Sequence, residues 1–167
     1  DRRRFEDFSY EQRFAAAIIP AGSLQLITET DGAIHFLRRI RDHLLPEGRL
    51  IFDLDPIDAF LSPAGSSSVR SWTTPDGSLL TLQEMQEEVD YVQQTTTSHL
   101  RYDLWVNGRL QESEHQLFRL RWWGVTEMKF VLKEAGFTDI AVCGNYTYGR
   151  TPQQRDHVIT FEALRSG

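Results

Sequence analysis

The chain has 167 residues, of which 40% are apolar and 25% charged, and a formal charge of −6. That is length enough for one domain with a sizeable core, and the composition excludes disorder. The acidic balance disfavours nucleic acid as a partner, and no apolar run approaches the ~20 residues of a bilayer-spanning helix. The single cysteine, Cys143, cannot form an internal disulfide. With no signal peptide at the head of the sequence, a reducing cytoplasm is the expected setting. The sequence opens at Asp1 rather than at methionine, and DRRRF reads as the interior of a protein.

FAAAIIP (14–20) is a continuous apolar run closed by a proline, which predicts a strand buried on both faces, as in a parallel sheet. AGSLQLI (21–27) reads as a loop with a helical turn. Thr30 is the expected N-cap of a helix with Asp31 in its first turn. Ala33, Phe36, Leu37, Ile40 and Leu44 recur at three- and four-residue steps and give it one apolar face. Arg38, Arg39, Arg41 and His43 put positive charge near its carboxyl end, where the helix dipole favours it. Pro46 and Gly48 are expected to stop it. RLIFDLD (49–55) then predicts a second buried strand, completing a βαβ unit with a right-handed crossover.

SPAGSSS (62–68) reads as a flexible loop, and the texture changes after it. PDG at 75–77 marks a turn, and Leu100, Tyr102, Leu104 and Val106 alternate as in a strand. Asn107-Gly108 is a strong hairpin signal, because both central residues of a type I′ turn need positive φ. A two-residue loop sets Arg101 opposite Glu114, which is favourable, but also Asp103 opposite Glu112, which is not; the conflict points to a bulge. Residues 71–123 therefore predict three or four antiparallel strands. Beyond them Thr126 is the expected cap of a helix with Met128, Val131, Leu132 and Ala135 on its apolar face, ended by Gly136. TDIAVCG (138–144) is a strand, GNYTYGRTPQQRD a loop, and HVITFEALR (157–165) the final strand.

The string FAAAIIPAGSLQLI…FLRRIRDHLLPEGRLIFDLD resembles the second half of a class I S-adenosylmethionine-dependent methyltransferase. RWWGVTEMKFVLKEAGFTDIAVCGNYTYG, with its helix, "EAGF", strand and loop, is similar to the close of that fold. The resemblance implies an α/β chain, a partial Rossmann-like sheet with an antiparallel β insert. Residues 1–61 would be the second half of the core, 62–123 the insert, as a lid or dimer surface, and 124–167 the closing helix and two strands. Inserts of this kind occur in small-molecule methyltransferases, including amino-sugar N-methyltransferase relatives. The family's glycine-rich cofactor loop, and the acidic residue that holds the ribose hydroxyls, have no counterpart in the sequence. The chain thus reads as a carboxyl-terminal portion, at least two βα units short, or roughly sixty residues. Without the family's first strand beside it, FAAAIIP becomes an apolar edge open to pairing. The expectation is a homo-oligomer joined through this edge, or an N-terminal half that covers it.

The resemblance also carries candidate site residues. Asp1, Arg2 and Phe5 match the family's acidic-residue-then-phenylalanine pattern, which makes Asp1 a ligand of the adenine amino group; the alternative is a frayed terminus. Ile19, Pro20, Ala21 and Ser23 end the first buried strand, and ligands of open α/β sheets bind beyond such ends. In the family, backbone groups here face the methionine portion of S-adenosylmethionine, and Gly22 would permit close approach. Ser23 and Gln25 have the alternative of capping the next turn. Asp53 and Asp55 share a face of a regular strand, where two carboxylates suit a substrate amine or hydroxyl. No His or Cys cluster supports a metal. Asp55, nearer the strand end, is the substrate candidate, whereas Asp53 has an equal alternative inside the core. Trp122 and Trp123 point oppositely if extended, so one lines a pocket, taken as Trp122, and the other packs; core or dimer packing is the expected role of most of the four tryptophans, Trp72 and Trp105 included in that set. Tyr146 and Tyr148 fall near the sheet's carboxyl edge, where either lines the substrate pocket or, as an equal alternative, packs on the surface; Tyr146 joins the substrate candidates. Cys143 reads as a small buried hydrophobe. The functional expectation is methyl transfer to a nitrogen or oxygen nucleophile of a small molecule, with S-adenosylmethionine bound by the complete protein and no catalytic residue named. The alternative is a noncatalytic dimerisation or binding module on the same scaffold.

Overall fold

A computed structural model describes Phe5 and residues 7–167. In chain order the elements are β1 (Phe14–Ile19), a 3-10 turn (Ser23–Leu26), α1 (Thr30–His43), β2 (Leu44–Leu54), a second 3-10 turn (Ile57–Ala59), β3 (Ser67–Thr73), β4 (Leu79–Asp90), β5 (Thr95–Val106), β6 (Arg109–Arg121), α2 (Val125–Glu134), β7 (Phe137–Gly144) and β8 (Ile159–Arg165). They divide into two compact units. One joins the chain up to Ala59 to Trp122–Gly167, and the other is Phe60–Arg121.

The first unit holds a four-stranded sheet in the order β1-β2-β8-β7. β1 runs parallel to β2, so a crossover must join them, and α1 is that crossover. β8 is antiparallel to both its neighbours. One face of the sheet carries the core. Leu50, Phe52 and Leu54 of β2 and Phe161 and Ala163 of β8 form one cluster with Phe36 and Leu37 of α1 and Met128, Val131 and Leu132 of α2. Phe52 and Phe161 are direct cross-strand partners and stack with centroids 5.1 Å apart. These aromatic and branched side chains supply most of the burial that holds the unit together.

At β1 the opposite face is open. Ile18 on β1 is 69% exposed, and β1 is an edge strand. The expectation of a strand buried on both faces is therefore corrected. The continuous apolar run fits a two-sided cover, but only the Ala17 and Ile19 side meets the helices, while Ile18 lies in register with Ile51 on the open side.

Three element boundaries differ from expectation. α1 begins at Thr30 with Glu29 as N-cap, and no side chain caps it; Ala33 N–H donates to the Glu29 carbonyl at 3.0 Å. Leu44 does not extend the helix but opens β2, which already includes Pro46 and Gly48. The ladder with β1 shifts register between Phe14 and Ala16; Glu47, at φ 59°, and Gly48 absorb the shift. A Cβ on Gly48 would lie 2.7 Å from the Leu45 carbonyl oxygen, so only glycine fits. α2 is capped at Gly124 rather than Thr126, because the Glu127 carboxylate reaches back to accept the Gly124 N–H at 3.1 Å.

The second unit is an antiparallel sheet in the order β3-β4-β5-β6. The Asp76-Gly77 turn joins β3 to β4, and Asn107 and Gly108 join β5 to β6 with φ of 52° and 72°. The Asp103–Glu112 conflict is relieved by a register shift at Leu104/Trp105. Leu104 now faces Glu112, Asp103 faces Ser113, and the Ser113 hydroxyl donates to the Asp103 carboxylate at 2.6 Å. The bulge turns a like-charge pair into a hydrogen-bonded one.

Candidate functional site

β1 and β2 end at the same edge of the sheet, and two part-buried hydrogen bonds tie the segments beyond those ends together. After Pro20 the chain turns through Ala21 (φ 57°) and Gly22 (φ 65°), two successive left-handed residues. Ser23 donates both its N–H and its hydroxyl to the Pro20 carbonyl, at 3.3 and 2.7 Å, so its side chain braces the turn. Gln25 does something else. Its side chain is fully buried, and it grips the backbone of Asp55 from both sides. Oε1 accepts the Asp55 N–H at 2.9 Å, and Nε2 donates to the Asp55 carbonyl at 3.3 Å. A Cβ on Gly22 would stand 2.7 Å from Gln25 Oε1 and 2.9 Å from Asp55 Oδ2. The missing side chain thus opens the notch in which the Asp55 carboxylate sits.

Asp53 and Asp55 have different environments. Asp53, only 6% exposed, is fully engaged. Its Oδ1 accepts the Thr160 hydroxyl at 2.9 Å from the register partner on β8, and its Oδ2 accepts the Tyr146 hydroxyl at 3.0 Å. Asp55 is half-buried, and burial first, then the neighbouring Asp53 charge, push its carboxyl above the ordinary range. The hydrogen bond to Asp53 and the charges of Asp53 and Asp55 hold the Tyr146 phenol above its usual value, which fixes it as a donor.

Tyr146 arrives from the loop between β7 and β8. On the open sheet face, that loop overhangs a cavity of about 300 Å³ walled by Ile51, Ala141, Cys143, Thr160 and Glu162 and covered by Tyr146, Tyr148 and Gly149. Arg49 pairs with Glu162 at its margin.

Phe5 and the tryptophans have settings of their own. Phe5 packs on Phe36 of α1 with ring centroids 5.0 Å apart, and Asp1 and Arg2 lie outside the described residues. Trp122 and Trp123 are each 3% exposed, with Trp123 in the core cluster. Trp105 donates its indole N–H to Thr81 inside the second unit at 3.2 Å, and Trp72 is exposed on β3. Among the described residues no group of three potential ligands is placed to hold a metal. Gln25 as the clamp on Asp55, and Thr160 as a partner of Asp53, were not anticipated. Neither carries a local signal; alternation on β8 places Thr160 on the open face only once its register with β2 is known.

No family model and no curated protein matches the sequence. Solved structures do. The chain aligns over 99% of its length with 63% of an S-adenosylmethionine-dependent methyltransferase from Clostridium acetobutylicum, at a TM-score of 0.77 and 13% identity. It aligns over 99% with 62% of the CcbJ methyltransferase from Streptomyces caelestis (TM-score 0.74, 16% identity). It aligns equally far with 61% of the sugar N-methyltransferase KedS8 from Streptoalloteichus (TM-score 0.73, 16% identity). The fold is that of the class I methyltransferases. The chain spans about three fifths of the length of these methyltransferases. Within the methyltransferase fold, the ends of β1 and β2 are the carboxyl ends of parallel strands, where open α/β sheets receive ligands.

Proposed function

We propose that the chain is a portion of an S-adenosylmethionine-dependent methyltransferase that acts on a nitrogen or oxygen nucleophile of a small molecule. The observation that carries this reading is the alignment of nearly the whole chain, insert included, with methyltransferases, one of them titled a sugar N-methyltransferase. In this reading Ile19, Pro20, Ala21 and Ser23 face the methionine portion of the cofactor, and Asp1, Arg2 and Phe5 are assigned to its adenine. The glycine notch at Gly22 fits that role, since it leaves backbone free of side chain beside the Asp55 carboxylate. These residues suit one side of the cofactor only, because a glycine-rich loop and a ribose-binding acid are not in the sequence.

When bound, the sulfonium cofactor supplies an already activated methyl group. The task of the protein is then to place the nucleophile in line and exclude water. Asp55, with Tyr146 and Trp122, is assigned to the substrate. Its Oδ2 accepts a hydrogen bond from the acceptor amine or hydroxyl, and its raised proton affinity suits it to take that proton. The noncatalytic alternative keeps the scaffold and loses the cofactor.

Isothermal calorimetry with S-adenosylmethionine tests the reading, on this chain and on any longer open reading frame that contains it. Saturable binding by either supports it, and binding by the longer protein alone marks this portion as half a site. No binding by any of them overturns it.

A further inference from the structure

Tyr146 is 68% exposed, yet its hydroxyl is fixed on a buried carboxylate two strands away from β7, across β8. The loop that presents it is built around Asp156, itself 3% exposed. Arg150 donates to both oxygens of Asp156, Nη1 to Oδ2 at 2.9 Å and Nη2 to Oδ1 at 2.7 Å. Asn145 Nδ2 adds a third bond at 3.0 Å and the Gln153 N–H a fourth at 2.7 Å. The Asn145 Oδ1 in turn accepts the His157 N–H at 2.9 Å. Gly144 gives the Asp156 carboxylate its room, since a Cβ there would overlap it. The result is that Asn145 and Tyr146 both sit in the left-handed region, at φ 50° and 55°. A tyrosine takes that conformation only when its surroundings impose it, and such strain gathers at functional sites.

We propose that Tyr146 is a positioning residue. Held by the Arg150–Asp156 brace, it pins the Asp53 carboxylate, so that of the two aspartates only Asp55 is left to meet the substrate. This rests on the reading of Asp55 as the substrate contact. The geometry supports the division of labour: both Asp53 oxygens are taken by protein donors, while Asp55 is held through its backbone and its carboxylate stands in the open notch at Gly22.

Among the described residues, the charged and titratable groups around Asp53 and the Tyr146 hydroxyl are Asp55 on the strand of Asp53, Cys143 of β7 in register with Thr160, and Glu162 of β8, which is paired with Arg49; β1 contributes none. The hydrogen bond to Asp53, and then the Asp53 charge, hold the Tyr146 phenol up, so losing either lowers it.

The test is a phenol-carbon NMR titration of the chain with labelled tyrosines. Asp53→Asn should bring the Tyr146 phenol down toward the ordinary tyrosine value, and Arg150→Gln, which undoes the brace, should move it the same way. A merely electrostatic effect of losing that positive charge would move Tyr146 upward instead. If Arg150→Gln does not fold, Asn145→Ala takes its place, since it loosens the loop without changing charge. A Tyr146 titration unmoved by Asp53→Asn, or moved upward by the brace variant, overturns the proposal. The titration needs no cofactor, so its outcome is independent of the calorimetric test of the methyltransferase reading.

Discussion

Asp55 is kept at a cost to stability. Its carboxyl is raised in the folded chain by burial and by Asp53. The folded state therefore holds that proton more firmly than the unfolded state does. The stability linked to it is complete in acid, below the unfolded value, and is lost as pH rises through the folded one. At neutral pH the ionised carboxylate works against folding. Asp55→Asn should raise the melting temperature near neutrality, by the equivalent of less than about 1 kcal/mol because water screens a half-exposed group. The difference from the parent chain should vanish in acid. A melting temperature that falls at neutral pH contradicts the assignment. The two aspartates were legible as a pair, from alternation alone. What distinguishes them was not, because their partners lie far off in sequence: Tyr146 and Thr160 for Asp53, and Gln25 for Asp55. Gln25 reads locally as a turn residue, and only the parallel pairing of β1 with β2 makes it a clamp.

At the scale of the element, β1 stands out. It is apolar, lies at an edge, and leaves Ile18 exposed. Such a strand offers unpaired backbone groups to any matching partner. The chain by itself should self-associate through this edge, and Ile18→Lys should shift it toward monomer in light-scattering measurements across a concentration series. A parent chain that stays monomeric at all concentrations contradicts this. The β1–α1–β2 unit and the Asn107-Gly108 hairpin were readable because periodicity and turn chemistry are local. The hairpin bulge was readable through a charge conflict, though its place at Leu104/Trp105 was not. Helix ends were misread at Thr30, Leu44 and Thr126, where the nearest hydroxyl or proline does not decide: Glu29 is the N-cap of α1, and Leu44 already opens β2. At α2 it is the Glu127 carboxylate that takes the Gly124 N–H.

At the scale of the molecule, the first unit is closed by segments from both ends of the chain. β8 inserts between β2 and β7, so the last strand in sequence lies inside the sheet. That placement brings Thr160 to Asp53 and carries the Tyr146 loop to the edge where β1 and β2 end. The fold class was accessible from the order and spacing of its strings, since each helix and strand is short-range. The antiparallel return of β8 is the part that makes the site, and it depends on pairing across about a hundred residues, such as Asp53 with Thr160. The central claim is that the ends of β1 and β2 face the cofactor. Its most direct measurement is an amide NMR titration with S-adenosylhomocysteine, on the shortest chain that binds in calorimetry. The account predicts that the largest shifts fall on Ala21, Gly22, Ser23 and Asp55, with β3–β6 little changed. Saturable binding whose shifts leave those four amides unmoved would contradict it.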